Sequence, residues 1–192
     1  MATHTIYLVR HAQTYYAQNS DDSEGTLTPL GIEQAEMTAE RFRNVSFTNA
    51  YISTLRRAVQ TAEIILKYHP NISIQWTKIL RECVPNIPPL YADELPKLSS
   101  DELIQMKSQA EQAFMTHFMP AFDQDQNTLI VSHGNLIRYF VIKVLEAHEH
   151  SWMKIEIYNC AVTIVKIKSE IDFVLEYLND TSHLSPIHRT SS

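Results

Sequence analysis

The sequence predicts an α/β fold: a three-layer α/β/α sandwich with a mostly parallel central sheet and an antiparallel edge strand. Three observations carry this. Short β-branched runs alternate with amphipathic helical stretches, the pattern of a parallel sheet covered on both faces. The first run, Ile6-Tyr7-Leu8-Val9, stops at Arg10-His11, and open α/β sheets carry their ligand chemistry at strand ends. The last two runs, Val162 to Lys168 and Phe173 to Tyr177, form a closing strand pair that adds the antiparallel edge.

The elements follow in order. Thr5 to Val9 is a strand and Tyr15 to Thr26 a polar loop holding the acidic cluster Asp21-Asp22-Ser23-Glu24. Leu27-Thr28-Pro29-Leu30-Gly31 opens a helix, with Thr28 as N-cap and Pro29 at the favoured first position. Ile32, Ala35, Ala39 and Phe42 form its inward stripe. Ala50 to Ser53 is a short strand, and Arg56 to Tyr68 a helix stopped by Pro70, with Ala58, Ala62, Ile65 and Leu66 inward. Ile72 to Trp76 alternates like a strand. Val84 to Pro96 holds four of the eight prolines and is expected as an extended surface loop. Ser99 to Phe118 is a long helix, Thr128 to Val131 a buried strand and Gly134 to Leu145 a helix. From Asp180 onward the residues are polar and read as a tail.

With 192 residues and neither repeat nor linker, residues 1–192 form a single domain. Hydrophobic residues at 44% and charged ones at 20% are ordinary for a globular protein. The formal charge of −6 speaks against nucleic-acid or anionic-membrane binding, so positive charge for an anionic substrate must be local. Cys83 and Cys160 are far apart in sequence and read as buried, idle thiols. No leader pattern precedes the first strand and no apolar stretch is long enough to span a membrane, so a cytoplasmic protein is expected.

Four positions recur at strand ends or helix starts. Arg10 and His11 end the first strand, Arg57 lies at the start of the helix after the second, and His133 ends the strand before Gly134. In a parallel sheet these ends share one edge, so two arginines and two histidines converge on one small anion. Phosphoryl transfer asks mainly for positioning and charge neutralisation, and forked guanidinium donors supply both. No carboxylate set or phosphate loop for magnesium is evident, and no metal or other cofactor is expected. His11 needs a neutral attacking nitrogen, its other nitrogen donating to a backbone carbonyl; a protonated His133 would add a third positive charge. Helix amides after Gly134 add donors, and Gln13 either donates into the pocket or shapes the loop. The other histidines, among them His4, His69, His117, His183 and His188, are surface or satisfied core residues. His148-Glu149-His150 lacks metal spacing, and Trp76 and Trp152 are packing residues.

Arg10-His11-Ala12, Leu27-Thr28-Pro29-Leu30-Gly31, Arg57-Ala58-Val59-Gln60-Thr61-Ala62 and Ser132-His133-Gly134 together resemble the histidine phosphatase superfamily, which includes phosphoglycerate mutases. The motifs stand in family order across nearly the whole chain. The resemblance implies a phosphoglycerate mutase-like fold and a phosphomonoester hydrolase. It implies His11 as the nucleophile that becomes phosphohistidine, with Arg10, Arg57 and His133 clamping the phosphoryl oxygens. Arg57 is preferred to Arg56 because the family arginine directly precedes the alanine. Glu82 is the implied acid, since family members carry a glutamate after the third strand; the branch with an aspartate after the second histidine is disfavoured by Gly134.

Arg81-Glu82, Pro85, Pro88-Pro89, Asn135-Leu136-Ile137-Arg138-Tyr139 and the Asn179-Asp180-Thr181 to Arg189-Thr190 end are similar to the mitochondrial serine/threonine protein phosphatase branch of the phosphoglycerate mutase family. That implies a phosphorylated protein as substrate and, by analogy with relatives, a homodimer through the final strand pair and tail. No anchor precedes the first strand, so mitochondrial anchoring and assembly through a preceding segment are not expected to carry over. Mutases carry an asparagine where Ala17 stands and a glycerate-holding stretch where Glu82-Cys83-Val84-Pro85-Asn86 stands, which disfavours a mutase. A small sugar or glycerate phosphomonoester is the alternative substrate, and a non-catalytic scaffold the remaining rival.

Overall fold

In the computed structural model, residues 2–15, 25–121 and 123–191 are described. The acidic cluster at Asp21-Asp22-Ser23-Glu24 and the mutase-discriminating Ala17 lie outside them. The elements are β1 (His4–Arg10), β2 (Thr14–Tyr15), β3 (Thr26–Leu27), α1 (Pro29–Phe42), β4 (Asn49–Ser53), α2 (Arg56–Ile65), β5 (Ser73–Thr77), α3 (Ser100–His117), β6 (Gln126–Ser132), α4 (Gly134–Val144), β7 (Val162–Ser169) and β8 (Asp172–Asp180).

Six strands form one sheet in the order β5-β4-β6-β1-β7-β8. The β5–β4, β4–β6 and β6–β1 pairs are parallel; β7 joins β1, and β8 joins β7, antiparallel. The sheet's alternation sorts side chains into two cores. Ile6, Leu8 and Ile130 pack with Ala110, Ala113, Leu136 and Phe140 of α3 and α4. Val9, Ala50, Ile52, Leu129 and Val131 pack with Phe42, Ala58, Ala62 and Ile65 of α1 and α2. Two helices thus cover each face, giving the three expected layers.

The helix starts follow their chemistry. Thr28 Oγ1 accepts from Gly31 N at 2.9 Å, and Pro29 opens α1. Ser99 and Glu102 close a capping box on α3. Gly31 is required by packing, since a Cβ there would lie 2.1 Å from the Gln13 carbonyl oxygen. That close approach seats α1 against the segment after β1.

Five expectations are corrected. Ile32 faces solvent at 43% exposure; the inward stripe of α1 is Gly31, Gln34, Ala35, Thr38, Ala39 and Phe42, because Gln34 and Thr38 are paired and can be buried. Trp76 is exposed on edge strand β5, whereas Trp152 is fully buried. Tyr15 and Thr26, read as the ends of a loop, and Leu27, read as opening a helix, instead belong to the paired strands β2 and β3. The Val84 to Pro96 stretch is not all surface: Val84, Pro85 and Pro88 are buried, since proline excludes ladder hydrogen bonds without excluding burial. The residues after Asp180 are a docked segment, with Leu184 and His188 buried. Cys83 and Cys160 are free and buried as expected, their thiols pushed up by burial, Cys160 to about 12. Among the described residues no helix is long and apolar enough to cross a membrane.

Candidate active site

The site is set by strand register. Arg10 lies opposite Ser132 in the β1–β6 pair, so the residues that follow, His11 and His133, leave the sheet side by side. The His11 N–H donates to the Ser132 carbonyl at 2.9 Å, and the two imidazole centroids are 5.2 Å apart. Arg57 enters from the first turn of α2, and its Nε donates to His133 Nδ1 at 3.2 Å. Arg10, Arg57, His11 and His133 are all buried, whereas Arg56 is exposed. Glu82, half-buried, follows the turn after β5.

His11 is a neutral base aimed by its own backbone. Burial, then the charges of Arg10 and Arg57, holds its pKa well below the usual histidine range. Nδ1 lies 2.8 Å from the Ala12 carbonyl oxygen, which can only accept, so Nδ1 carries the proton and Nε2 the free lone pair. His133 is likewise held well below its ordinary value by burial, then by His11, Arg57, Arg10 and Arg81. With Arg57 donating to Nδ1, Nε2–H donates to Ser53 Oγ at 2.7 Å. Burial and the surrounding charges thus favour the neutral form of His133, against the third positive charge that its protonated form would add.

Glu82 goes the other way. Burial raises its pKa, outweighing Arg10, Arg57 and the N–H groups of Cys83 and Leu136, which favour the carboxylate. The same two guanidiniums thus act on His11, His133 and Glu82 alike. The arrangement brings a lone pair, a carboxyl group whose protonated form is favoured by burial, and fixed positive charge close together.

Gln13 shapes the loop: its side-chain oxygen accepts from Thr28 Oγ1 at 2.8 Å, its carbonyl accepts from Thr28 N, and its N–H donates to Gln34 Oε1 at 2.8 Å. Gly134 begins α4, where a Cβ would sit 3.5 Å from Arg10 Nε, so its amide stands beside that arginine. Sequence reasoning missed Ser53, Arg81 and Asn159. Arg81 Nε donates to Thr54 Oγ1 at 2.6 Å, and Asn159 Nδ2 donates to the His11 carbonyl at 3.0 Å. Ser53 ends β4 as His11 follows β1, a positional signal that could have found it; a lone asparagine in Ile157-Tyr158-Asn159-Cys160 carried none. Among the described residues no group of three or more His, Cys, Asp or Glu side chains is arranged to hold a metal.

Residues 6–181 match the family described as the histidine phosphatase superfamily (branch 1). The chain belongs to that superfamily. It is 33% identical over 190 residues to the serine/threonine-protein phosphatase Pgam5, mitochondrial, of Caenorhabditis elegans, a match covering 96% of this chain and 66% of that one. It is 32% identical over 197 residues to the same-named protein of Mus musculus, covering all of this chain and 67% of that one. The chain thus spans about two thirds of the length of these curated relatives. Among solved structures, a phosphoglycerate mutase from Plasmodium falciparum superposes with a TM-score of 0.67 at 27% identity, covering 97% of this chain and 96% of that chain. The relatives are named mitochondrial, which overturns the expectation of a cytoplasmic protein. That expectation rested on the missing leader pattern, and the residues at one end of a chain do not report its compartment.

Proposed function

We propose that the chain is a phosphomonoester hydrolase working through phosphohistidine at His11, with phosphoserine or phosphothreonine in proteins as its substrate. The observation that carries the chemistry is the neutral, backbone-aimed His11 within the field of Arg10 and Arg57. The substrate class rests on the relatives named serine/threonine-protein phosphatases, and so does a mitochondrial compartment, which cell fractionation tests.

Arg10, Arg57, His133 and the Gly134 amide hold the phosphoryl oxygens. The His11 Nε2 lone pair attacks phosphorus as the bond to the leaving oxygen breaks, and Glu82 gives that oxygen its proton. The Glu82 carboxylate then takes a proton from water, whose oxygen attacks phosphorus as the P–N bond breaks. Inorganic phosphate leaves, and His11 returns to its starting state. The guanidiniums supply the charge neutralisation that phosphoryl transfer needs, so no metal is required.

Hydrolysis of an aryl phosphate in excess chelator, lost on His11→Ala, supports this reading; undiminished turnover by that variant rejects it. Comparing phosphopeptides with sugar phosphates tests the substrate class, and a strong preference for the sugar phosphate would move the assignment to small metabolites. For the homodimer, light scattering at twice 22.1 kDa supports the expectation and a 22.1 kDa species ends it.

A further inference from the structure

The segment after β8 runs back along α1. Asp180 pairs with Arg41 at 2.6 Å, His183 lies between Arg41 and Thr38, and His188 reaches Glu33 at 2.8 Å. Its path thus goes from the C-terminal turn of α1 to its N-terminal turn, which abuts the segment carrying His11. There Thr190 meets two buried amides. Gln34 Nε2 donates to Thr190 Oγ1 at 2.8 Å, and Thr190 Oγ1 donates to Asn159 Oδ1 at 2.9 Å. The Asn159 N–H donates to the Thr190 carbonyl at 2.8 Å. Both amides are fully buried, and each also holds the catalytic backbone. Asn159 Nδ2 donates to the His11 carbonyl at 3.0 Å; Gln34 Oε1 accepts from the Gln13 N–H at 2.8 Å. Between these grips, Ala12 N donates to Thr61 Oγ1 at 3.0 Å, and the Ala12 carbonyl aims the His11 ring.

We propose that Thr190 is a positioning residue for the proposed reaction: one hydroxyl, accepting from Gln34 and donating to Asn159, bolts together the two amides that fix the backbone on either side of Ala12. The chemistry explains why a hydroxyl is needed. Gln34 presents an N–H and Asn159 a carbonyl oxygen, and a single hydroxyl serves both. Without it, buried Asn159 Oδ1 loses its partner and the Asn159 amide can turn and release the His11 carbonyl, while Gln34 Nε2 keeps only the His188 carbonyl at 2.7 Å and grips the Gln13 N–H less firmly. Misplacing an attacking atom by about 1 Å can cost about 10²-fold in rate.

This rests on the function proposed above, so the test has one readout from catalysis and one from the ring itself. Thr190→Val removes the hydroxyl at nearly constant volume, and Thr190→Ser restores it. Thr190→Val is expected to lower kcat for an aryl phosphate by about 10- to 100-fold. Inhibition by inorganic phosphate should stay within about twofold, because the phosphate-holding groups are untouched, and Thr190→Ser should recover most of kcat. Nitrogen NMR should show a single Nδ1–H tautomer of His11 in the wild-type protein and in Thr190→Ser, and a mixed one in Thr190→Val. A wild-type kcat and a single tautomer in Thr190→Val overturn the proposal. Equal losses in both variants, tracking their melting temperatures, overturn it too, since that marks a merely structural role. If the wild-type protein hydrolyses nothing, the assigned reaction fails, and the tautomer alone decides the positioning.

Discussion

Two opposed pKa shifts define the site at the residue scale, and both have consequences in pH. In the proposed reaction His11 attacks as a neutral ring, and burial, then the charges of Arg10 and Arg57, lowers its pKa well below the usual histidine range. In that reaction Glu82 donates a proton, and burial raises its pKa. Activity should therefore persist as pH falls past the ordinary histidine value and decline as pH rises through the Glu82 value. Glu82→Gln should lower kcat by about 10²–10⁴-fold for a poor leaving group and flatten the alkaline limb; an unchanged alkaline limb in the pH–rate profile would remove Glu82 from its role. His133 gives a second expectation. Burial and neighbouring charges hold its pKa well below the ordinary value, and a bound phosphate dianion favours its charged form. Calorimetry of phosphate binding in buffers of different ionisation enthalpy should show proton uptake, and binding without it would mean that His133 stays neutral throughout. The ring's hydrogen bond to a backbone carbonyl was legible in the sequence, because a neutral nucleophile demands it. The protonation state of His133 was not, because it depends on charges gathered from Arg57, Arg10 and Arg81.

The deciding element is the α1 entry. A Cβ on Gly31 would meet the Gln13 carbonyl oxygen at 2.1 Å, a backbone atom with no room to retreat. Gly31→Ala should destabilise by about 1–3 kcal/mol, read from urea midpoints, and lower kcat as the His11 segment shifts. An unaffected midpoint would show that the segment yields freely. Thr28 and Pro29 announced this helix in the sequence, since a cap and a first-turn proline are local chemistry. The inward stripe was less legible. Periodicity counts apolar residues, so it turned Ile32 inward and passed over Gln34, which is buried only because Gln13, His188 and Thr190 satisfy it. The segment after Asp180 was misread for the same reason: its polar residues looked solvated, but their partners lie far away in sequence on α1 and beside Asn159.

At the scale of the whole molecule, buried histidines are expected to lead the acid response of the described residues. Burial lowers His4, His69, His117, His183, His11 and His133, with His117 and His183 near 4. Between those values and about 6.5, the unfolded chain binds more protons than the folded one, so stability rises with pH across that window and is lost as pH falls through it. Glu82, raised, acts in the opposite sense but is one group against six. Urea midpoints at pH 5 should lie below those at pH 7, by a free energy on the order of a few kcal/mol. A higher midpoint at pH 5 would show that other groups govern the response. The mostly parallel sheet was readable from the alternation of strand and helix, and with it the meeting of Arg10, His11, Arg57 and His133, because parallel strands deliver their ends to one edge; the strand order was not, because it is fixed by long-range pairing. The whole account depends on His11 carrying the phosphoryl group during turnover. Rapid alkaline quench of the enzyme with a phosphomonoester, followed by peptide mass spectrometry, tests this most directly. One phosphoryl mass on the peptide containing His11, stable to alkali, labile to acid and absent from His11→Ala, is the predicted result. A phosphoryl group trapped on another residue, or none trapped while the enzyme turns over through a burst, would contradict it.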